Sequence, residues 1–218
     1  MRDGLVLEFA KNVNPVLLKI KSVALVGGKN DPELSIFDEK QITTFGIDGE
    51  SEFLDLNSSK SEFSSNAKFD LVVCNQVLEH VWNHQSFFEN LKMLVQPGGY
   101  LWITAPASNF VHSSPHYYSA GFTCSYLEKN LIKHGFEVVN SGELSSKRNY
   151  LMRHSFSFWL SAAESNKPLR EIRSVLSKTG NRAGMRRSLA LIVASLLPNA
   201  TDNSQRFAVE SFVLARLP

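Results

Sequence analysis

Six histidines, two acid-rich strand ends and one glycine pair are the residues of this chain whose types and spacing could do chemistry. His80, His112 and His116 fall just after apolar runs, where a side chain can reach an open sheet edge. An imidazole there could take a proton from a hydroxyl. His80 and His84 stand four apart, as do His112 and His116. That spacing suggests a metal, but Val81 occupies the place of the glutamate in a metalloprotease helix. Pro115 interrupts a single helical face through the second pair. The expectation is therefore no metal. Cys74 and Cys124 have no metal-ligand spacing, and Cys74 lies inside an apolar run as a buried thiol of a reducing cytosol would. There is no nucleophile elbow and no P-loop lysine motif.

These residues need a scaffold, and the order of apolar runs supplies one. "SVALVGG" (22–28), "QITTFGID" (41–48) and "SEFLDLN" (51–57) read as three strands. "FDLVVCN" (69–75) is a continuous apolar run, the pattern of a strand buried on both faces. "NHQSFFENLKMLVQPGG" (83–99) carries Phe87, Leu91, Leu94 and Val95 on one helical stripe, with Pro97-Gly98-Gly99 expected to stop it. "GYLWITAP" (99–106) follows as a strand. "SYLEKNLIKHGF" (125–136) reads as a helix capped by Gly135. "FEVVNSG" (136–142) and "FAVESFVLARLP" (207–218) complete seven strands. Strands alternating with helices predict an α/β fold: a Rossmann-like, doubly wound, mostly parallel sheet. The chain reads as a single domain, 1–218, with 143–206 a helical, basic lid inserted before the last strand.

In such sheets ligands lie beyond the carboxyl ends of the strands, at the point where strand order reverses. Gly27 and Gly28 let the backbone approach a ligand closely. Asp48, about twenty residues on, can accept both hydroxyl hydrogens of a ribose. Asp55, with Leu56 beside it, could take an amino hydrogen of adenine and cover its face. Asn75 and Gln76 end the fourth strand. An adenosine ligand suits these positions. A dinucleotide would need a fuller glycine cradle, which disfavours a nucleotide-dependent oxidoreductase.

The stretch "FDLVVCNQVLEHVWNHQSFFENLKMLVQPGGYLWITAP" (69–106) resembles the class I S-adenosylmethionine-dependent methyltransferases. "HYYSAGFTCSYLEKNLIKHGFEVV" (116–139) is similar to the region before their sixth strand, most of all in members associated with sugar and cell-surface polysaccharide pathways. The family has an acid ahead of the glycines and a third small residue after them; this chain has Ala24 and Leu25 ahead and Lys29 after. The resemblance implies S-adenosylmethionine as cofactor, with Gly27 and Gly28 beside its methionine part. It puts Asp48 on the ribose, Asp55 and Leu56 at the adenine, and Asn75 with Gln76 near the sulfonium. The reaction expected is methyl transfer to a hydroxyl, with His80 or His116 facing the acceptor. The alternative is a binding or scaffolding protein that kept the fold and lost catalysis.

Charge refines the acceptor. Residues 31–65 hold nine acids against Lys40 and Lys60, and residues 147–187 hold ten bases against Glu164 and Glu171. Arginine favours phosphate and carboxylate, so a phosphorylated or nucleotide-linked sugar or an acidic glycan suits this segment as partner; a solvated helical face is the plain alternative. Peripheral contact with an anionic membrane is a second use of that segment. Nucleic acid is not expected, since no recognition module appears. "SLALIVASLLP" (188–198) is too short to span a bilayer, and "MRDGLVLEFAKNVNP" lacks a signal-peptide core. A cytoplasmic protein is expected. Oligomeric state is not legible.

Overall fold

The computed structural model describes residues 2–28, 31–47, 52–58, 67–109, 112–113, 115–145 and 208–218. By its contacts the chain divides into two units, Met1–Leu144 with Glu210–Pro218, and Ser145–Val209. The basic segment 147–187 and the apolar run 188–198 lie outside the described residues.

Seven strands form one sheet: β1 (Val23–Val26), β2 (Ile42–Gly46), β3 (Glu52–Phe53), β4 (Phe69–Asn75), β5 (Val95–Pro106), β6 (Glu137–Ser145) and β7 (Ala208–Arg216). Their order is β3-β2-β1-β4-β5-β7-β6. The pairs β1–β2, β1–β4, β2–β3 and β4–β5 are parallel, while β5–β7 is antiparallel. This is the expected Rossmann-like α/β sheet, with its order reversing between β1 and β4.

The central strands are apolar on both faces because both are covered. Ala24, Val26, Val72 and Cys74 point into one core with Phe87, Leu91 and Leu127. Val23, Leu25, Leu71 and Val73 point into the other with Phe9, Val13 and Trp102. Alternation along each strand thus serves two cores rather than a core and solvent. Helix α2 (His84–Leu94) and helix α3 (Cys124–Lys133) place buried side chains in the first core. Helix α1 (Arg2–Val13) serves the second, with Leu5, Phe9 and Val13 on one stripe. Sequence reasoning did not assign α1, although its i, i+4, i+8 spacing was available. Trp102 joins this layer to the sheet, meeting Phe9 edge-on at 5.3 Å and stacking on Phe212 at 5.4 Å. Each such aromatic pair adds about 0.5–1.5 kcal/mol beyond its burial.

One expected boundary is corrected. Pro97-Gly98-Gly99 does not stop α2; the helix ends at Leu94, and the proline and glycines lie inside β5. The β4–β5 register shifts between Phe69 and Leu71, and Gly98 has φ +80. The trio therefore forms a strand irregularity, where proline and glycine are tolerated. Gly135 does cap α3: its N–H reaches Ile132 O at 2.9 Å and the Phe136 N–H reaches Leu131 O at 3.0 Å. That pair of bonds is a Schellman motif.

At the other end of the sheet, Asp70 locks β4 to the residue before β1. Its Oδ2 accepts from the backbone N–H groups of Lys21 and Ser22 at 2.8 and 2.9 Å. Both cysteines are buried. Burial pushes the Cys74 thiol well above its ordinary range, with the charges of Glu79 and Asp31 adding to it.

Candidate active site

A cleft of about 310 Å³ opens where the carboxyl ends of β1, β2 and β4 meet the loop after β3. Its size falls within the range of small-molecule sites, roughly 300–1,000 Å³. β1 and β4 terminate there at residues in left-handed conformations, Gly27 and Gln76. β1 runs into Gly27, which takes φ +80 and donates its N–H to Phe45 O at 2.9 Å. A Cβ on Gly27 would stand 2.5 Å from Val77 Cγ2, so the turn fits only glycine.

Gly27, Gly28, Asp55 and Leu56 all line the cleft, as the sequence led us to expect. Asp48 lies outside the described residues. The cleft floor is apolar: Val26, Phe45, Leu54 and Val81 line it and are buried. Asp55 sits at its rim in an Asx turn, its Oδ1 accepting the Asn57 N–H at 2.9 Å. Asn57 Oδ1 in turn accepts from the N–H of Trp82 at 2.9 Å, and Asn83 donates to the Asn57 carbonyl. The start of α2 thereby fixes the loop after β3 in place.

Asn75 and Gln76 sit at the tip of β4 but do not line this cleft. Asn75 Nδ2 donates to Asp31 Oδ2 at 3.0 Å, and Asn75 Oδ1 accepts from Thr104 Oγ1 at 3.0 Å. Gln76 has φ 56, a left-handed conformation that is uncommon without glycine. Its amide donates to Thr104 Oγ1 at 3.3 Å, and its N–H to Thr104 O at 3.0 Å. Val77, the next residue, supplies the wall instead. Asp31 was not among the residues picked from sequence. It follows the glycines by three positions, and its carboxylate faces Gly28, whose added Cβ would lie 3.3 Å from Asp31 Oδ2.

The histidines sort differently from their spacing. His80 lines the cleft. Its Nδ1 is 2.5 Å from the carbonyl of His116, whose ring is exposed. Since a carbonyl only accepts, Nδ1 carries a proton, and in the neutral ring the lone pair is on Nε2. The His80 and His112 rings meet edge-to-face at 4.9 Å, with Tyr117 4.7 Å from His112. His84 belongs elsewhere: its Nδ1 shares a 2.7 Å hydrogen bond with Tyr126 OH, and its ring packs on Phe122.

Burial lowers the His84 pKa, and a backbone hydrogen bond at Val81 raises it by less. The unfolded chain therefore binds the His84 proton more readily than the native chain does. Above the unfolded value, about 6.5, this ring costs no stability; as pH falls through that value toward the lowered native one, stability is lost. The urea midpoint should drop over that window in the native sequence, and the part due to this ring should vanish in His84→Gln. Equal slopes for the two proteins below neutrality would refute the assignment.

This sheet order, with an antiparallel seventh strand and a cleft at the switch point, defines a class I methyltransferase fold. The sequence matches the methyltransferase domain family over residues 17–177. The chain belongs to that family, and S-adenosylmethionine is its cofactor. No curated protein sequence matches it. Among solved structures it is similar to an O-methyltransferase from a trans-AT polyketide synthase multienzyme of Brevibacillus brevis, in complex with S-adenosyl-L-homocysteine. That likeness has 10% identity and TM-score 0.58 and covers 97% of this chain and 71% of that one. It is similar to coclaurine N-methyltransferase bound to N-methylheliamine and S-adenosylhomocysteine (13% identity, TM-score 0.55, 98% and 70% covered). It is also similar to the [4+2]-cyclase SpnF (16% identity, TM-score 0.56, 99% and 80% covered). At such identities these likenesses speak for the fold. Among the described residues no helix is long and apolar enough to cross a membrane.

Proposed function

We propose that this methyltransferase transfers its methyl group to a hydroxyl oxygen of an anionic small molecule, a phosphorylated or nucleotide-linked sugar-pathway metabolite. The observation that carries the proposal is His80: a ring with a fixed tautomer, on the wall of the cleft, with Nε2 as acceptor. An amine nucleophile needs no base once neutral, whereas a hydroxyl gains about 10²–10⁴-fold from one. We assign that role to His80 in preference to His116, whose backbone carbonyl is what engages it. The sulfonium methyl is already activated, so alignment of the acceptor oxygen supplies the rest, on the order of 7–11 kcal/mol in favourable cases.

In the same reading Gly27 and Gly28 flank the methionine part of the cofactor. The adenine lies over Leu56, with Asp55 accepting its amino hydrogen, and Asp48 holds the ribose. Asn75 and Gln76 act through the shape of the β4 tip, which sets Val77 against Gly27. The anionic acceptor is supported by the ten bases between residues 147 and 187, and the sugar pathway by the likeness of residues 116–139 to such enzymes. The single-domain reading, with 143–206 as a helical, basic insertion before the last strand, belongs to the same proposal. So do a cytoplasmic setting and peripheral contact with an anionic membrane.

Calorimetry with S-adenosylhomocysteine tests the cofactor geometry. Asp48→Ala should weaken binding by about 10- to 100-fold, the worth of hydrogen bonds to a charged group, roughly 1.5–3 kcal/mol. Unchanged affinity would remove Asp48 from the site. Transfer of a labelled methyl to hydroxyl-bearing sugar phosphates, lost in His80→Ala, tests the acceptor. Transfer only to amines would overturn the oxygen reading.

A further inference from the structure

We propose that Glu79, His80 and His112 form a binding site for a divalent transition-metal cation of the zinc type, beside the cofactor cleft. The three residues offer ligand atoms that all lie within 4.8 Å of one another. Ligands about 2.05 Å from a tetrahedral ion stand roughly 3.3 Å apart. Glu79 Oε1 and His80 Nε2 are already 3.9 Å apart. A small rotation of the His112 ring, carried on the loop after β5, would bring the third atom to the same range.

The hydrogen bond that would orient the His80 ring toward a metal is also in place. Metal-bound imidazoles almost always donate their other N–H to a carboxylate, a carbonyl or water, which fixes the tautomer. His80 makes that bond to the His116 carbonyl at 2.5 Å, leaving Nε2 on the side of Glu79. The Glu79 carboxylate is 1% exposed, and a charge so far from water gains most from a cation beside it. Two neutral imidazoles and one carboxylate suit zinc or a neighbouring first-row metal. They suit magnesium and calcium poorly, because those ions prefer all-oxygen shells. Three protein ligands leave a coordination position for water or for an oxygen of the small-molecule acceptor.

The sequence spacing pointed to His80 with His84 and His112 with His116. The structure instead pairs His80 with His112, 32 positions along the chain. They meet because β4 and β5 are parallel neighbours and the segments after both strands come out at the same end of the sheet. The inference goes beyond the methyl-transfer reading and does not rest on it; the His80 Nε2 lone pair serves as the base of that reading only in the metal-free protein.

The test is calorimetric titration of the chelator-stripped full chain with zinc chloride, repeated with magnesium chloride. One zinc per chain and no magnesium heat are expected. Glu79→Gln and His112→Ala should each weaken zinc by about 100-fold or more, the upper end of what losing even an outer-shell partner costs. His134→Gln, a substitution at the C-terminal end of α3, should bind zinc as the native chain does. X-ray absorption of the zinc-loaded native protein should count two imidazole nitrogens, a readout that stands even if a variant fails to fold. No stoichiometric zinc, native affinity in both Glu79→Gln and His112→Ala, or a shell with sulfur or fewer than two imidazoles would overturn the site. Titrating the same metal-free protein with S-adenosylhomocysteine reads the cofactor proposal separately.

Discussion

Replacing Gly27 with alanine is expected to destabilise the protein by about 2–5 kcal/mol and to abolish measurable binding of S-adenosylhomocysteine. Two penalties combine. The backbone at Gly27 has φ +80, which an L side chain adopts at a cost of about 1–2 kcal/mol. The new Cβ would also stand 2.5 Å from Val77 Cγ2, an overpacking of the kind that costs about 1–3 kcal/mol. Val77 cannot retreat freely, because Gln76 before it is held by two hydrogen bonds to Thr104. Relief of the strain would push the turn outward, into the cleft that Gly27 lines. The double variant Gly27→Ala/Val77→Ala separates the terms. It should recover the steric part and leave the backbone part, so the two substitutions couple favourably. Urea unfolding and calorimetry together check this. A Gly27→Ala protein with native stability and native affinity would mean that the turn is not built as described.

Gly121→Ala should cost a comparable amount, about 2–4 kcal/mol, while leaving cofactor affinity within a few-fold. A Cβ there would meet Ala107 O at 2.3 Å and Ala107 C at 2.6 Å. Those are backbone atoms, so no rotamer change can relieve the overlap. The close approach is maintained by two bonds, Phe122 N–H to Pro106 O and Asn109 N–H to Ala120 O, each 2.7 Å. Ser211 on β7 reinforces it by donating to Phe122 O at 2.8 Å. Moving residues 106–109 loosens the base of the loop that bears His112, none of whose described residues lines the cleft. A lowered urea midpoint with S-adenosylhomocysteine affinity retained is the expected pattern. An unchanged midpoint would show that the loop shifts without cost, and loss of cofactor affinity would tie this loop to the cofactor side.

The histidine pairing shows where reading along the chain stops working. Spacing of four reports neighbours on a helix, but His80 sits in a short 3-10 turn and His84 begins α2, with Val81–Asn83 between the two elements. The two rings diverge, one toward His116 and one toward Tyr126. Likewise, Asp31 carries no motif of its own. Its relevance comes from a hydrogen bond to Asn75, 44 positions away.

The sequence by itself determined the order of the seven strands with helices α2 and α3 among them, the limits of β4 and the glycine turn after β1. It also determined the family, through residues 69–106. These are properties of contiguous runs: burial on both faces imposes an unbroken apolar stretch, and a tight turn demands a residue without a Cβ. Only the tertiary structure decided that Val77 rather than Asn75 walls the cleft, that Pro97-Gly98-Gly99 bends a strand instead of ending a helix, and that Glu79, His80 and His112 converge. Each of these depends on which strands lie side by side and in what register. Hydrogen bonding between distant segments fixes that arrangement, and no local periodicity encodes it.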